Sequence, residues 1–235
     1  MNCIIAAAGK SSRFDTKKSK VLFKIKKETI IEKIYKKIRF FSKKTIIICN
    51  YKNIKEIKKI LRKYKKDNIV YKIQKNQNGM ATAINYGLEQ VKDKDFFVIW
   101  ADMIYLRKKT IKKTINLHLK KENILTFPYF KIKNPYTFII ENKNKKFVNI
   151  LQKREDEFSF KVGKNDCGFF VCNTDKIKKE LNKLIKNRKI VTKKTKEFDF
   201  LKSFKYFRKL GSISLVKASS KNETIGINSK KDIFK

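Results

Sequence analysis

The chain has 235 residues, a formal net charge of +40, 41% hydrophobic residues and 12% aromatic residues. This apolar content is typical of a globular protein and excludes an intrinsically disordered chain. The length suits one large domain or two small ones, either of which can bury a substantial core.

The strong positive charge does not by itself indicate a nucleic-acid-binding protein. Only seven of the 61 basic residues are arginine, the side chain best suited to paired hydrogen bonds with base edges and phosphates. The lysines are scattered, and the sequence has neither an RNA-binding aromatic motif nor a cysteine–histidine finger. Lysine, isoleucine, asparagine and phenylalanine share A/T-rich codons, so a biased genome explains the composition. We expect no specific nucleic-acid partner, although nonspecific attraction to polyanions follows from the charge.

Strand-like and helical segments alternate through the first half of the chain. The apolar, strand-like runs are residues 2–8, 44–50, 68–74, 95–102 and 123–130. The segments with helical spacing are residues 29–41, 54–66, 79–92 and 108–122. This alternation predicts βαβ units, and the continuous apolar strands indicate a sheet covered by helices on both faces.

The pattern changes after about residue 130. Two strands are expected around a polar turn at residues 141–146, followed by further strands at 165–174 and 212–218. Helices are expected at 175–187 and 197–210. Because there is no repeat and no long linker, the sequence predicts one three-layer α/β/α Rossmann-like domain over residues 1–235, with a mixed, mostly parallel central sheet.

The cysteines, the histidine and the N-terminus indicate an ordinary intracellular protein. Cys3, Cys49, Cys167 and Cys172 form no CxxC pair, so we expect buried thiols in a reducing cytosol. The single histidine, His118, lies in a lysine-rich helical segment and is expected at the surface or half-buried. No segment approaches the roughly 20 apolar residues of a membrane span, and no basic segment precedes the first apolar run. We expect a cytoplasmic protein without a membrane span.

The first candidate site is the turn after the first strand, in "IIAAAGKSSRF". Its single glycine, Gly9, stands between Ala8 and Lys10. Backbone N–H groups of such a small-residue turn can face phosphate oxygens, but an ordinary tight turn has the same composition. The spacing is neither that of a P-loop nor that of GxGxxG.

Two further candidates also come directly after predicted strands. Gln77 and Gly79 precede a helix that begins with small residues, which permits close approach of a base or a phosphate, or simply tight packing. Asp102 ends the strand in "FFVIWADM", where an acid is either a helix cap or a ligand for a hard metal ion. In open α/β sheets, ligands bind at the carboxyl ends of the strands, where all three candidates lie.

Taken together, these segments resemble the sugar-phosphate nucleotidyltransferases of glycosyltransferase-A-like fold, in particular the uridylyltransferase domain of bacterial N-acetylglucosamine-1-phosphate uridylyltransferase. The family signature LAAGxGxRM, with PKxL after it, appears here as "IIAAAGKSSRF" and then "KSKVLFKI". The element QxxQxGTxxA appears as "QKNQNGMATA", the strand ending in GD as "VIWADM", and the late GVN element as "ETIGIN". Their order and spacing agree over nearly the whole chain.

The resemblance implies transfer of a nucleoside monophosphate from a triphosphate, with UTP favoured, to a sugar 1-phosphate or a similar phosphorylated acceptor, with Mg²⁺ as cofactor and pyrophosphate as product. A nucleotide-binding half would span about residues 1–130 and an acceptor-binding half about residues 131–235. The implied nucleotide-binding residues are Ala7, Ala8, Gly9, Lys10, Ser11, Ser12, Arg13, Lys20, Gln74, Gln77, Gly79 and Met80, of which Arg13 and Lys20 are the implied catalytic residues. The implied metal ligands are Asp102 and Asn228, with Gly226 shaping the approach, and the implied acceptor-binding residues are Tyr136, Gln152, Asp166 and Gly168.

The chain departs from the family pattern mainly in the acceptor half. In the nucleotide half, Ser11 replaces the second signature glycine and Met80 replaces a threonine. In the acceptor half, "NPYTF" lacks the family's glycines, Gln152 stands where an acidic residue would meet the amino sugar, and Asp166 replaces an asparagine. The resemblance therefore leaves the acceptor undetermined.

Several alternatives stay open from the sequence. Within the same fold, the donor could be CTP, and the acceptor could be molybdopterin-like or phosphocholine-like. Outside this class, the chain could be a basic, non-enzymatic polyanion-binding protein if its lysines cluster on one face. The altered motifs also fit a catalytically silent regulatory relative. The sequence does not indicate the oligomeric state.

Overall fold

The most apolar segments of the sequence form the central strands of a sheet. The computed structural model describes residues 1–9 and 19–234, without the side chains of residues 230 and 234. Every residue of its first strand is buried. The strands at residues 44–49 and 95–100 are buried along nearly their whole length. Strands that are covered on both faces need apolar side chains in both directions, which explains the unbroken isoleucine and phenylalanine runs.

The described residues form twelve strands and six α-helices, joined by loops and short 3₁₀ turns. The strands are β1 (Asn2–Ala6), β2 (Lys24–Ile25), β3 (Glu28–Thr29), β4 (Lys44–Cys49), β5 (Ile69–Ile73), β6 (Asp95–Trp100), β7 (Leu125–Lys133), β8 (Thr137–Glu141), β9 (Phe147–Gln152), β10 (Val162–Asp166), β11 (Phe169–Asn173) and β12 (Ile213–Lys217). The α-helices are α1 (Ile30–Ile38), α2 (Ile54–Leu61), α3 (Met80–Leu88), α4 (Lys108–Lys121), α5 (Thr174–Lys186) and α6 (Phe204–Phe207).

The large sheet is parallel on one side of β6 and mixed on the other. Its strand order is β10-β7-β11-β6-β1-β4-β5, with β12 paired to β7. The pairs β6–β1, β1–β4, β4–β5 and β7–β12 are parallel, whereas β6–β11, β11–β7 and β7–β10 are antiparallel. The predicted mixed sheet is therefore confirmed, and each of its antiparallel pairs includes β7 or β11 from the second half of the chain.

Helices cover both faces of this sheet, so the predicted three-layer architecture is confirmed. One core cluster joins Ile84 of α3 and Leu181 of α5 to Ile4 of β1. The other joins Ile34 of α1 and Ile111 of α4 to the opposite face of the same strands. The alternation of side chains along each strand supplies both layers. No helix in the described part of the chain is long and apolar enough to cross a bilayer.

The second half of the chain departs from two of the sequence predictions. The strand predicted at 165–174 is two strands, β10 and β11, separated at Gly168, whose φ of +59° is a left-handed backbone conformation. The helix predicted at 197–210 is wrong for most of its length, since only a 3₁₀ turn at Leu201–Ser203 and the one-turn helix α6 form there. The hairpin predicted around residues 141–146 is confirmed as β8–β9.

A backbone contact prevents the predicted helix from beginning at residue 197. The N–H of Phe198 donates to the carbonyl of Asn78 (2.7 Å), and its carbonyl accepts from the N–H of Ala81 (3.0 Å). Phe198 also forms a β-bridge with Val191. These long-range hydrogen bonds hold residue 198 in an extended conformation that a local helix cannot satisfy.

Gly79, the residue before α3, lies directly against this backbone. Its φ is +126°, and a Cβ built on it would lie 2.6 Å from the nitrogen and 2.8 Å from the carbonyl carbon of Phe198. The tight packing that the sequence allowed at Gly79 is therefore present, against the backbone of Phe198, and the predicted contact of Gly79 with a nucleotide stays a prediction.

We predict that Gly79→Ala destabilises the protein by about 2 kcal/mol or more, because it combines a positive φ with a clash against main chain that cannot move away. Urea unfolding at equilibrium measures this change. Gly9→Ala is the matched control: its φ is not in the left-handed region, and no described atom lies within 4 Å of the added Cβ. Equal stability of the two variants would contradict the prediction.

The four cysteines are buried, as predicted, but the histidine is not where the sequence placed it. His118 is only 1% exposed. Its Nδ1 lies 3.1 Å from Oγ1 of Thr126, and its Nε2 lies 3.2 Å from Oδ1 of Asp95. The lysine-rich surroundings in sequence hid a position on the inner face of α4. Burial lowers the pKa of His118 below its ordinary 6.5, although the Asp95 carboxylate opposes the shift.

We predict that this pair makes the fold acid-sensitive. Because the pKa is lowered in the folded state, the unfolded state binds more protons as the pH falls below about 6.5, so stability is lost in that direction. Since the chain has one histidine, a single set of imidazole NMR signals reports its pKa directly. A pKa above 6.5, or an equal loss of stability between pH 7 and 5 in His118→Gln, would contradict the prediction.

Candidate active site

The carboxyl ends of β1, β5 and β6 open into one cavity of about 660 Å³, a size typical of sites for small organic ligands. It is also lined by the β8–β9 hairpin, the β10–β11 connection, the loop before Leu201 and the C-terminal segment. The predicted site residues that line it are Ala7, Ala8, Gly9, Lys20, Gln74, Gln77, Gly79, Met80, Asp102, Tyr136, Gln152, Asp166, Gly168 and Asn228. The structure thus brings together all the predicted residues that it describes. The others, Lys10, Ser11, Ser12 and Arg13, lie outside the described residues.

Side-chain amides hold the turn after β1. Asn53 donates from Nδ2 to the carbonyl of Ala7 (2.8 Å). Asn50 and Gln77 donate to the carbonyl of Ala8 at 3.1 and 2.8 Å. These bonds fix the turn from the neighbouring strand ends. The contribution of Asn50 and Asn53 was missed in the sequence, although two asparagines between an apolar strand and the next helix could have indicated it.

Gln74 is engaged inside the protein. It is 3% exposed, and its Nε2 donates to the carbonyl of Gly79 (3.0 Å) and to Oγ1 of Thr82 (2.9 Å). Oγ1 of Thr82 in turn donates to the carbonyl of Gly79 (2.8 Å). Gln74 therefore positions the turn before α3, and its predicted reading of a base stays a prediction.

The two predicted metal ligands lie side by side at the end of β6. The N–H of Ile227 donates to the carbonyl of Asp102 (3.1 Å), which brings the C-terminal segment against this strand end. Nζ of Lys20 lies 2.6 Å from Oδ2 of Asp102 and 3.3 Å from Oδ1 of Asn228. At Gly226 an added Cβ would lie 3.3 Å from Sδ of Met103 and 3.5 Å from the Asp102 carboxylate, so a larger side chain would crowd the approach to this carboxylate. A cationic group thus bridges two oxygen donors contributed by distant parts of the chain.

The donors at this position fit a magnesium ion. Oδ1 of Asp102 is buried and, among the described residues, has no hydrogen-bond partner. A buried carboxylate oxygen without a partner is costly, so it is a ready ligand for a cation. Among the described residues there is no group of three or more His, Cys, Asp or Glu side chains that could hold a metal. Mg²⁺ suits such a site, because it binds through one or two protein oxygens and completes its shell with phosphate oxygens and water.

Asp166 and Gly168 line the cavity at the β10–β11 connection, beside the end of β6, where the N–H of Trp100 donates to the carbonyl of Gly168 (2.9 Å). Asp166 accepts from Oγ1 of Thr137 at Oδ1 and from the N–H of Gly168 at Oδ2, both at 2.7 Å. Burial raises the pKa of Asp166 and the nearby Asp102 carboxylate raises it further, while these hydrogen bonds oppose the shift. Asp166 therefore shapes the β10–β11 connection as well as the cavity. Tyr136, at the rim, is 42% exposed.

Further lining side chains were missed in the sequence. The charged ones are Arg154, Glu197, Asp199 and Asp232, and the large apolar ones include Trp100, Met103, Phe198 and Leu201. Residues 197–201 were missed because a helix was wrongly predicted there. Arg154 stands in a run of charged residues, and the sequence does not indicate which of their side chains enters the cavity. The cavity is acidic although the chain as a whole is basic. Among the described residues that line it, five have carboxylates and two, Lys20 and Arg154, are cationic.

Sequence comparisons identify a family and several relatives of this chain. The family of MobA-like NTP transferase domains matches residues 3–153. The chain is 30% identical over 234 residues to the bifunctional protein GlmU of Buchnera aphidicola subsp. Schizaphis graminum, covering 98% of this chain and 49% of the relative. It is 25% identical over 189 residues to a probable UDP-N-acetylglucosamine pyrophosphorylase of Acanthamoeba polyphaga mimivirus, covering 78% of this chain and 74% of the relative.

The fold is similar to that of a solved structure with little sequence identity. A putative glucose-1-phosphate thymidylyltransferase from Bacillus anthracis, in complex with a sucrose, superposes with a TM-score of 0.77 at 16% identity, covering 100% of this chain and 92% of that one. By contrast, the chain spans about half the length of the Buchnera relative. Because the family match extends over residues 3–153 and contains the turn after β1, the Gln74–Met80 segment and Asp102, this chain belongs to the family of MobA-like NTP transferase domains.

Proposed function

We propose that this chain is a Mg²⁺-dependent nucleotidyltransferase. It transfers a nucleoside monophosphate from a nucleoside triphosphate, preferably UTP, to a sugar 1-phosphate or a similar phosphorylated acceptor. The observation that carries the proposal is the cation-bridged pair Asp102 and Asn228. This pair lies in a cavity lined by every predicted site residue that the structure describes. The family assignment and the names of the relatives support the same reaction class.

The strand order supports a donor side and an acceptor side. The turn after β1 and the Gln74–Met80 segment after β5 lie on one side of β6, and β11, β7 and β10 lie on the other. Asp102 comes at the end of β6 and therefore lies between the two sides. The triphosphate would occupy the first side and the acceptor phosphate the second, with the reacting phosphorus near Asp102. The mimivirus relative, named as a UDP-N-acetylglucosamine pyrophosphorylase, favours a uridine donor and a sugar acceptor.

The proposed reaction is a single in-line displacement. An oxygen of the acceptor phosphate attacks the α-phosphorus, the bond from this phosphorus to the bridging oxygen breaks, and pyrophosphate leaves with the electron pair. A phosphate monoester is largely ionised near neutral pH, so the attack needs no general base. The single histidine lies elsewhere, between α4, β6 and β7, and takes no part.

Positioning and neutralisation of charge are the tasks of the protein groups in this scheme. Asp102 and Asn228 would hold Mg²⁺, which when bound neutralises charge on the phosphate oxygens. The ammonium group of Lys20 can turn from Asp102 to the triphosphate without leaving the cavity, since its long side chain is flexible. Arg13 and Lys10 lie outside the described residues. Arg13 keeps the triphosphate-binding role and Lys10 the nucleotide-binding role that the resemblance implies.

We predict that the wild-type protein releases pyrophosphate when incubated with Mg²⁺, a nucleoside triphosphate and a sugar phosphate, and that Asp102→Ala lowers this rate at least about 100-fold. A panel of the four triphosphates and several phosphorylated acceptors, combined with a pyrophosphate assay, measures both effects. Asp175→Asn, an exposed change in the first turn of α5, is the control that removes a carboxylate away from the cavity.

The panel also separates the alternatives. No release with any pair, together with unchanged properties of Asp102→Ala, would contradict the enzyme proposal. Steeply salt-dependent RNA binding in that case would indicate a polyanion-binding protein. Greater thermal stabilisation by CTP than by UTP would change the donor assignment.

We further predict that Lys20→Met binds Mn²⁺ more tightly than the wild type in the absence of nucleotide, by about threefold or more, because it removes a cation from the metal ligands. The same variant should bind the triphosphate more weakly, because it loses a phosphate partner. Electron paramagnetic resonance of free Mn²⁺ measures the first effect and thermal stabilisation the second. Lys24→Met, at an exposed position of β2, is the matched control. Weaker Mn²⁺ binding by Lys20→Met would contradict the competition between the two cations.

A further inference from the structure

We propose that Asp199, held in place by Gln152, determines which acceptor is used, by accepting hydrogen bonds from the ring hydroxyl groups of a sugar phosphate. This inference rests on the proposed function. Neither the family match nor the names of the relatives assigns a role to Asp199, which lies beyond the matched residues 3–153.

Both oxygens of the Asp199 carboxylate are fixed by the protein. Oδ1 accepts from the N–H of Leu201 (2.8 Å), and Oδ2 accepts from Nε2 of Gln152. The backbone N–H of Asp199 donates to the carbonyl of Ile190 (2.9 Å). A carboxylate tied at both oxygens and at its own backbone has one orientation, as a specificity determinant requires.

Gln152 and Asp199 lie on the acceptor side of the cavity. Gln152 ends β9, whose hairpin packs against β10 and against the 3₁₀ turn Leu201–Ser203. β10 is the edge strand farthest from β5, and the loop after β5 carries the nucleotide-side residues. Gln152, Asp199 and Asp166 all line the cavity. With the nucleotide base on one side of Asp102, these three residues would face the acceptor on the other side.

The pair presents hydrogen-bond acceptors to the cavity. An ionised carboxylate has about four acceptor sites, so the two protein bonds leave capacity for a ligand. Gln152 turns its amide nitrogen to Asp199, which leaves its carbonyl oxygen as a second acceptor. A ligand that meets two fixed acceptors must donate, and neighbouring hydroxyl groups of a sugar ring supply two donors.

The surroundings favour neutral hydroxyl donors over a quaternary ammonium group. Arg154 is close enough to lower the pKa of Asp199, and it forms ion pairs with Glu155 (3.2 Å) and Glu197 (3.0 Å). The ring of Trp100, the aromatic residue at the end of β6, packs against other rings of the core instead of forming an open cage. Because Arg154 is already paired with Glu155 and Glu197, its charge does not decide between the two kinds of ligand group. What decides is that a quaternary ammonium group has no hydrogen to donate to Asp199.

Asp199→Asn is the decisive variant, because the asparagine keeps the shape and can still accept from Leu201. We expect the acceptor KM to rise about 10- to 100-fold, the effect of losing a hydrogen bond to a charged group, while the triphosphate KM stays unchanged. Deoxy analogues of the preferred sugar 1-phosphate give the sharper readout. The wild type should discriminate against the analogue that lacks the contacted hydroxyl, and the variant should not.

Two controls accompany this variant. Glu157→Gln removes the same charge from a side chain that is 91% exposed, and it should leave all constants unchanged. The pH dependence of the acceptor KM is the second control. Burial raises the pKa of Asp199 to about 6, opposed by its backbone hydrogen bonds and by Arg154 and reinforced by Glu155. The acceptor phosphate itself titrates at about pH 6 in both proteins. The wild-type KM should therefore rise more steeply than the KM of Asp199→Asn as the pH falls through about 6, and equal pH profiles would contradict the role of Asp199.

The outcomes separate this inference from the proposed function. Pyrophosphate release by the wild type, with a raised triphosphate KM or an unchanged deoxy-analogue preference in Asp199→Asn, would overturn the inference alone. If Asp199→Asn raised the KM for phosphocholine as much as the KM for sugar phosphates, the assignment to hydroxyl groups would be overturned. If the wild type releases no pyrophosphate, calorimetry with a hexose 1-phosphate decides. Binding that Asp199→Asn abolishes supports the inference without the reaction, and absence of binding overturns both.

Discussion

The site depends on one electrostatic arrangement, in which the ammonium group of Lys20 lies between the carboxylate of Asp102 and the amide oxygen of Asn228. These three residues come from the turn region after β1, the end of β6 and the C-terminal segment. Oδ1 of Asp102 is buried and has no hydrogen-bond partner in the part of the chain that the structure describes, and such a carboxylate is unfavourable unless a cation is close. The arrangement therefore closes the C-terminal segment onto the central strand and at the same time leaves a place at which one cation can be exchanged for another.

A second constraint joins the two sides of the cavity. The backbone of Phe198 pairs with the turn before α3, which carries Gly79 and Met80, and the next residue, Asp199, faces the β8–β9 hairpin through Gln152. A shift of the nucleotide-side turn would have to move the acceptor-side carboxylate with it, because no flexible residue separates the two contacts. The positive φ of Gly79 permits this contact, so a glycine is needed here for packing as well as for the nucleotide binding that the resemblance implies.

Local sequence patterns predicted the elements that form from neighbouring residues, and they failed where contacts with distant backbone decide the conformation. The apolar strands, the mixed sheet and the residues at the ends of β1, β5 and β6 could be predicted because strand ends meet at one edge of a sheet. Residues 197–210 have apolar residues at helical spacing, yet hydrogen bonds with Asn78 and Ala81 keep residue 198 extended. Asp199 was missed for the same reason. Likewise, only the packing of α4 against Asp95 and Thr126 places His118 in the interior.

The chain carries a net charge of +40, whereas the charged side chains that line its cavity in the described part of the chain are mostly carboxylates. The overall charge therefore does not explain how a ligand is selected. Lysines spread over a surface attract any polyanion, and this attraction weakens within about 10 Å at moderate salt, so it raises the local concentration of nucleotides without distinguishing them. Discrimination requires groups that are fixed and partly removed from water, and in the described residues these are mostly carboxylates and amides. Because carboxylates repel phosphate, they are tolerable in such a cavity only where a cation or a hydrogen-bond donor on the ligand meets each one. Asp102 lies beside a cation, Lys20, and we propose that Asp199 meets a hydrogen-bond donor of the ligand.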